Sequence, residues 1–440
     1  MPEPNVHGLA NIQRTMSLLA SSSPAARKRV RLLFYGQSIT QSGWSRTVAQ
    51  ELARRYPHAD LEVENRAIGG FAADYLVKAA ESDLYSYYPD LVVFHVYGAH
   101  GPYEDIIRRL RERTTAEILL QTDHVTSEDD LDEERDPARL ASNHGSYAAF
   151  MSYAFLPGLA KTYSAAVCDQ RTAWKQYLRA QKLPAAALLS DHVHLNAAGD
   201  ALMAALVLRC LRHAPEAAPS PLERAVTTLR LDGRGGSRVV EFEGNRVDAV
   251  TSGRGVASVR IDGKPPSSFR ELYGFSRARV NGALWPPLYD IAAEAALLAE
   301  DWTLQVDRAL GEEARYTFEL FGSRSGSDGR GDSRRRFVSR SRRVVIEPDD
   351  WNIEYAFELA GFARVPPHFT INFQAEPHFA DSVRAAEAGA GKELIVTLAQ
   401  GLPEGVHRLE LSASEGEVPV AALRIYRPLA SPARVRGSGQ

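Results

Sequence analysis

Ser38, Asp191 and His194 are the residues of this chain whose types and spacing could carry a reaction. Ser38 lies in Gly36-Gln37-Ser38-Ile39-Thr40, directly after the apolar run Val30-Arg31-Leu32-Leu33-Phe34-Tyr35. A small-residue turn after a buried strand can lift a hydroxyl out of the sheet, at the carboxyl end where open α/β sheets bind their ligands. Far downstream, Asp191-His192-Val193-His194-Leu195-Asn196 precedes Ala197-Ala198-Gly199-Asp200 and an apolar helical stretch from 201 to 211. A serine hydroxyl is a weak nucleophile until an imidazole takes its proton, and that imidazole needs a third group to set its tautomer and stabilise its charge. An Asp three residues before a His, on a loop entering a helix, supplies both, with His194 as base and Asp191 as its orienter. Each fragment alone also has a plainer reading. Gly-x-Ser can be an ordinary strand-to-helix turn, and Asp191 can help cap the last helix beside a solvated His194.

Taken together, the blocks resemble the SGNH hydrolases, the GDSL-type esterase superfamily. Gly36-Gln37-Ser38-Ile39-Thr40 stands where that family has Gly-Asp-Ser-x-Thr, with Gln37 in place of the Asp. Asn65-Arg66-Ala67-Ile68-Gly69-Gly70 resembles the second block and puts Gly70 on the glycine whose N–H helps form an oxyanion hole. The third block is Gly-x-Asn-Asp after a buried strand. Here Asp90 to Tyr97 runs into Gly98-Ala99-His100-Gly101, so His100 occupies the asparagine position. Asp191 and His194 match the Asp-x-x-His of the fifth block.

The resemblance implies an ester hydrolase with Ser38 as nucleophile, and with Ser38 N–H, Gly70 N–H and His100 around the oxyanion. It implies no cofactor and no metal. With the β modules described below, it also implies an acylated carbohydrate as substrate, acetyl foremost, although nothing in the three residues chooses between sugar, lipid and peptide esters. His100 leaves two outcomes open. Its N–H donates as the amide would, or the substrate or reaction has changed; losing one such donor costs roughly 2.7–4 kcal/mol of barrier. Two other functions fit the same chain: a glycoside hydrolase using Asp123, Asp191 or Glu104 as paired carboxylates, and a carbohydrate-binding protein without turnover.

Positioning these residues requires alternating strands and helices. Val30 to Tyr35, Leu61 to Asn65, Leu91 to Tyr97, Glu117 to Thr122 and Ser164 to Asp169 read as strands. Gly43 to Arg55, Phe71 to Ser82, Tyr103 to Arg113 and the stretch around Tyr147 to Thr162 read as helices. This pattern predicts a flavodoxin-like three-layer α/β/α domain with a parallel sheet over 26–213, with Ser38, Gly70 and His100 on one rim. Thr122-Asp123-His124 and Asn143-His144-Gly145 fall near that rim. Gln37, Trp44, Tyr103, Asp123 and His124 are candidates for substrate contact. Trp44 and Tyr103 could equally be core, and Asp123 and His124 could satisfy loop backbone. The acidic segment from Ser127 to Asp136 reads as a solvated loop or lid.

Residues 1–25 form an N-terminal extension, within which Asn11 to Leu19 could make a short packing helix. The Pro- and Ala-rich 214–222 reads as a linker. Beyond it, short β-forming runs between turn signals suggest a β-sandwich-rich C-terminal half. The runs are Arg238 to Phe242, Ala257 to Ile261, Thr303 to Val306, Tyr316 to Leu320, Arg343 to Ile346, Asn352 to Leu359, Thr370 to Phe373, Glu393 to Ala399, Val406 to Leu411 and Ala421 to Tyr426. Gly244 to Asp248 with Val259 to Lys264, and Gly401 to Leu411, resemble the opening and closing of a jelly-roll carbohydrate-binding-like module. That assigns 223–268 plus 387–430 to one sandwich and 269–386 to an inserted β-rich domain, the alternative being two β domains in tandem. Gly322 to Ser333 reads as an exposed loop.

Composition narrows the class. A chain of 440 residues, 44% hydrophobic and 24% charged, has ordinary globular usage and length for two or three cores. A net charge of −3 argues against nucleic acid as a main partner. Cys168 and Cys210 form neither a metal cluster nor a disulfide framework, and read as buried thiols. No stretch approaches the ~18 apolar residues of a membrane span. The first 23 residues lack a basic start and a continuous apolar core. The expectation is therefore cytoplasmic residence, or export if the N-terminus is truncated or misassigned. Nothing in the sequence sets the oligomeric state.

Overall fold

Strands covered by helices on both faces must be apolar on both faces, and the runs around Leu32, Val92 and Leu119 meet that requirement. The computed structural model describes residues 1–143, 146–231, 235–280, 283–308, 315–385 and 391–429. Its first sheet contains β1 (Asn5–His7), β2 (Arg29–Gly36), β3 (Asp60–Asn65), β4 (Leu91–His95), β5 (Glu117–Gln121) and β6 (Ala166–Asp169), in the order β1-β6-β5-β4-β2-β3. β2 to β6 run parallel, and β1 closes one edge antiparallel to β6. The parallel strands thus follow the flavodoxin-like order, which reverses between β2 and β4 and opens a crevice beyond their carboxyl ends.

The helices are α1 (Gln13–Ala20), α2 (Ser38–Gln41), α3 (Gly43–Arg55), α4 (Ala73–Ala80), α5 (His100–Arg113), α6 (Pro137–Asn143), α7 (Tyr147–Phe150), α8 (Leu156–Tyr163), α9 (Gln170–Gln181) and α10 (Ala197–Cys210). Met16, Val48, Trp174 and Leu206 bring α1, α3, α9 and α10 to one face of the sheet. Leu76, Ile106 and Leu159 bring α4, α5 and α8 to the other. The expected N-terminal extension is part of this domain, since β1 extends the sheet and Ile12, Met16 and Leu19 are core residues.

The cysteines depart from expectation. Cys168 on β6 and Cys210 at the end of α10 are joined in a disulfide across a sequence separation of 42. Their pairing comes from the topology, which lays the last helix against the last parallel strand. Closing a loop of this length removes denatured-state entropy worth about 2–4 kcal/mol. The double variant Cys168→Ser/Cys210→Ser should lose about that much in urea unfolding, with a lower midpoint and a steeper slope, because the opened chain exposes more surface when unfolded.

The C-terminal half comprises β7 (Val226–Arg230), β8 (Ser237–Glu243), β9 (Arg246–Thr251), β10 (Gly255–Ile261), β11 (Tyr273–Phe275), β12 (Glu300–Arg308), β13 (Tyr316–Gly322), β14 (Gly326–Asp332), β15 (Phe337–Val338), β16 (Val345–Ile346), α11 (Ile353–Leu359), β17 (His368–Pro377), β18 (Ser382–Arg384), β19 (Ile395–Gln400), β20 (Val406–Gly416) and β21 (Val420–Tyr426). Sheets β18-β10-β20-β8 and β19-β9-β21-β7 enclose a core containing Val247, Val259, Leu409 and Leu423. A separate sheet, β11-β17-β12-β13-β14, has its own core around Trp302, Leu304 and Phe373. β18 pairs with β10, so the chain has returned to the flanking sandwich before the boundary expected at 387.

Two local expectations fail. Asn352 to Leu359 is largely the helix α11, not a strand. Ile353, Tyr355, Phe357 and Leu359 alternate like a strand, but Ile353, Ala356 and Phe357 share one helical face and are the residues buried. Gly322 to Ser333 is a turn followed by β14, which pairs with β13.

A buried ion pair fastens the halves together. Arg277 donates to Asp83 Oδ1 at 2.9 Å and Oδ2 at 2.8 Å, and to the carbonyl of Arg66 at 2.8 Å. Removing one partner alone would leave the other charge buried and uncompensated.

Candidate active site

Ser38 opens α2 immediately after β2, where Gly36 allows the close crossing of neighbouring backbone. A Cβ on Gly36 would lie 2.1 Å from the His95 carbonyl oxygen and 2.4 Å from Thr40 Oγ1. On the opposite side of the crevice, the loop before α10 is folded on itself. Ser190 N–H donates to the His194 carbonyl at 2.8 Å, and Leu189 bridges to Leu195. Asn196 caps α10 by accepting from Ala198 N–H and Gly199 N–H at 3.0 Å each.

These elements bring the three residues together. His194 Nε2 lies 3.0 Å from Ser38 Oγ, and His194 Nδ1 lies 2.7 Å from Asp191 Oδ2. Asp191 is a carboxylate acceptor, so Nδ1 carries the proton and the Nε2 lone pair faces the hydroxyl. Asp191 Oδ1 accepts from His194 N–H and Val193 N–H, each at 2.7 Å. These two backbone donors, with the His194 ring, hold the Asp191 carboxyl well below the usual carboxylate range. Both His194 and Asp191 are about half exposed, open to an incoming substrate.

Asp200, which the sequence reading did not single out, clamps the two sides of the crevice. On the first turn of α10, it accepts from Ser42 Oγ at 2.6 Å and from Gly43 N–H at 3.0 Å. That links the helix following His194 to the turn following Ser38. An acid four residues after the Asn196 cap was the available signal, but its partner lies far away in sequence.

The second block is held from both halves. Asn65 donates to the Thr40 carbonyl at 2.6 Å and to Ser45 Oγ at 2.9 Å, and accepts from Ala67 N–H at 3.0 Å. Gly69 abuts the serine, since a Cβ there would stand 3.6 Å from Ser38 Cβ. Gly70 adopts φ +80°, and a Cβ would meet Leu359 Cδ2 at 2.9 Å. Trp285 Nε1 donates to the Gly69 carbonyl at 2.7 Å, and Tyr355 Oη donates to the Gly70 carbonyl at 2.8 Å. The second face of α11, carrying Tyr355 and Leu359, therefore covers this loop.

In the third block, Gly98 N–H donates to Tyr147 Oη at 2.8 Å, and Tyr147 O–H returns a bond to the Gly98 carbonyl at 2.8 Å. Burial raises the Tyr147 phenol to about 12. His100 begins α5 with its ring packed among Phe155, Phe150 and Tyr147, at centroid distances of 4.6, 5.0 and 5.7 Å.

Several sequence candidates have other roles. Gln37 is buried, and its Oε1 accepts from Tyr97 N–H at 3.3 Å, which supports the rim from below. Trp44 and Tyr103 are wholly buried and cannot form a sugar-stacking wall. Trp44 donates to the Ile39 carbonyl at 2.6 Å, and Tyr103 packs edge-on against Phe94. Tyr75, Tyr97 and Tyr147 are the more exposed aromatic residues of the loops and helices that follow β3 to β5. Glu104 accepts from Tyr163 Oη at 2.7 Å. Asp123 is partly exposed between the buried His95 and His124. Burial raises its carboxyl, and the adjoining His124 and His95 imidazoles outweigh that, bringing it well below the usual range.

The acidic segment is anchored, contrary to expectation. Asp130 pairs with the buried Arg171 at 2.8 Å, and Glu133 pairs with Arg171 at 2.7 Å and with the buried Lys175. Its neutralising cations lie on α9. His144 and Gly145 lie outside the described residues. Among the described residues no helix is long and apolar enough to cross a membrane.

Neither a family model nor a curated protein matches this chain. Among solved structures, it is similar to LAE5, an alpha/beta hydrolase enzyme from the metagenome of Lake Arreo, Spain. That chain is 19% identical with a TM-score of 0.34, over 43% of this chain and 98% of that one. Axe2, an acetylxylan esterase from Geobacillus stearothermophilus, is 22% identical with a TM-score of 0.34, over 43% of this chain and 96% of that one. A two-domain esterase active on acetylated mannans, co-crystallised with mannopentaose, is 15% identical with a TM-score of 0.37, over 96% of both chains.

Proposed function

We propose that this protein is a serine ester hydrolase of SGNH type that deacylates a carbohydrate, acetyl being the foremost acyl group. The observation that carries the reading is the hydrogen-bonded chain from Ser38 Oγ to His194 Nε2 at 3.0 Å and from His194 Nδ1 to Asp191 at 2.7 Å. Ser38 Oγ attacks the ester carbonyl carbon while its proton passes to His194 Nε2. Asp191 stabilises the imidazolium that forms. The carbonyl oxygen, now negative, is met by the N–H groups of Ser38 and Gly70. Collapse of the tetrahedral intermediate breaks the bond to the sugar oxygen, which takes the proton from His194. Water, activated by the same imidazole, then releases the acid from Ser38.

The carbohydrate part rests on the SGNH resemblance and on the attached β modules, with the partly exposed Tyr75, Tyr97 and Tyr147 as candidate contacts. The glycosidase alternative loses ground because its carboxylates are committed elsewhere. Glu104 is bonded to Tyr163, Asp191 to His194, and Asp123 lies between two histidines. A disulfide belongs to an oxidising compartment. We therefore place the working protein outside the reducing cytoplasm, against the residence expected from the sequence.

Acetylated and deacetylated oligosaccharides assayed in parallel test the reading. Acetate release without new reducing ends is expected; reducing ends without acetate would overturn it. Within the same assay, Tyr355→Phe should lower kcat by roughly two- to tenfold at nearly constant KM. It removes one hydrogen bond, worth about 0.5–1.5 kcal/mol, from the loop that presents Gly70.

A further inference from the structure

We propose that His95 Nε2, Asp123 Oδ1 and His124 Nδ1 form a binding site for one divalent transition-metal ion of the zinc class, beside the loop that carries His194. His95 ends β4, and Asp123 and His124 follow β5, so two adjacent parallel strands deliver three donors to one point. One donor atom from each lies within 4.8 Å of the others.

The spacing distinguishes this cluster from the other histidine–aspartate contacts among the described residues. His194–Asp191, His368–Asp307 and His407–Asp262 stand at 2.7, 2.6 and 2.8 Å, the range of proton-bridged charged pairs. His95–Asp123 and His124–Asp123 stand at 3.3 and 3.1 Å. Ligands bound at about 2.0–2.2 Å to a common ion are held roughly 2.9–3.5 Å apart in octahedral or tetrahedral geometry. Both wider distances fall in that interval and run to the same carboxylate oxygen.

The surroundings of His124 point the same way. Its Nε2 lies 2.7 Å from the Val193 carbonyl oxygen, which can only accept, so Nε2 carries a proton and Nδ1 faces Asp123. A ligating histidine whose second nitrogen donates to a backbone carbonyl is the usual outer arrangement of protein metal sites. The His95 and His124 rings are buried while Asp123 is a third exposed, which leaves a route for the ion and open positions toward the crevice. Two imidazoles and one carboxylate suit zinc, cobalt or nickel, not the all-oxygen demands of calcium and magnesium. Through Val193, the ion would stiffen the segment between Asp191 and His194.

Cobalt titration of the full-length chain, stripped with a chelator, tests the assignment. A visible d–d band should rise to saturation at one Co²⁺ per chain and bleach when Zn²⁺ is added. Zn²⁺ should also raise the melting temperature by binding only the folded state. Asp123→Asn, nearly isosteric, and His95→Gln should each abolish the band and the Zn²⁺-induced rise while keeping the wild-type circular dichroism. If one of them fails to fold, the other carries the comparison. Ser38→Ala should bind Co²⁺ as wild type does, so metal uptake is scored separately from ester hydrolysis. Stripped wild-type protein that takes up no Co²⁺ or Zn²⁺, or uptake undiminished in the folded Asp123→Asn and His95→Gln proteins, would overturn the proposal.

Discussion

Ser38→Ala is expected to lower kcat for acetyl ester hydrolysis by on the order of 10⁵–10⁶, with KM little changed. The hydroxyl is the atom that bonds to the acyl carbon, and it faces the His194 ring nitrogen 3.0 Å away. Removing it leaves the oxyanion donors and the binding surface intact, so a small residual rate above water should persist. The fold should not suffer. Ser38 is only part-buried, and the turn around it is held by Thr40 N–H to the Gln37 carbonyl at 2.9 Å and by Asn65 to the Thr40 carbonyl at 2.6 Å. Steady-state kinetics on p-nitrophenyl acetate with parallel thermal melts would measure both. A mutant that unfolds early would be uninformative about chemistry, and the hydrogen bonds just named argue that it does not.

Asp191→Asn is expected to cost roughly 10³–10⁴ in kcat. An amide at this position can donate to His194 Nδ1, which favours the tautomer with its proton on Nε2 and turns the wrong atom toward Ser38. The carboxylate accepts two backbone N–H bonds and the imidazole N–H, which hold its own titration well below the usual carboxylate value of about 3.9. It is therefore ionised across the ordinary assay range, and an acid limb in kcat/KM must report another group. The sign for stability follows from the same depression. The contribution of Asp191 is fully present above its unfolded value and is lost only as pH falls through the lower folded value. Asp191→Asn should thus lower thermal stability only slightly, and by the same amount throughout about pH 5 to 8, while collapsing the rate.

Much of the α/β half is legible in the residue pattern. Five strand-like runs alternating with amphipathic helices are enough to predict a parallel sheet with its chemistry on one rim, and Ser38, Asp191 and His194 meet there within hydrogen-bonding distance. What the pattern misses depends on partners remote in sequence. Cys168 and Cys210 look isolated until β6 and α10 are laid together. The acidic segment looks solvated because Arg171 and Lys175, which neutralise it, arrive only on α9. Trp44 follows the serine turn closely enough to suggest a substrate wall, but the direction of α3 turns it edge-on to Phe34 in the core. α11 is the most instructive case. Its alternation mimics a strand, while its helical form buries Ile353 and Phe357 on one face and sets Tyr355 against the Gly70 loop on the other.

Covalent trapping tests the central claim most directly. The full-length protein treated with a fluorophosphonate, which phosphonylates activated serines, should gain the mass of one adduct, and peptide mapping should place it on Ser38. His194→Ala should abolish the adduct while leaving the fold intact. An enzyme that hydrolyses acetyl esters at full rate with Ser38 unmodified, or whose adduct maps to another serine, would contradict the assignment of Ser38 as nucleophile.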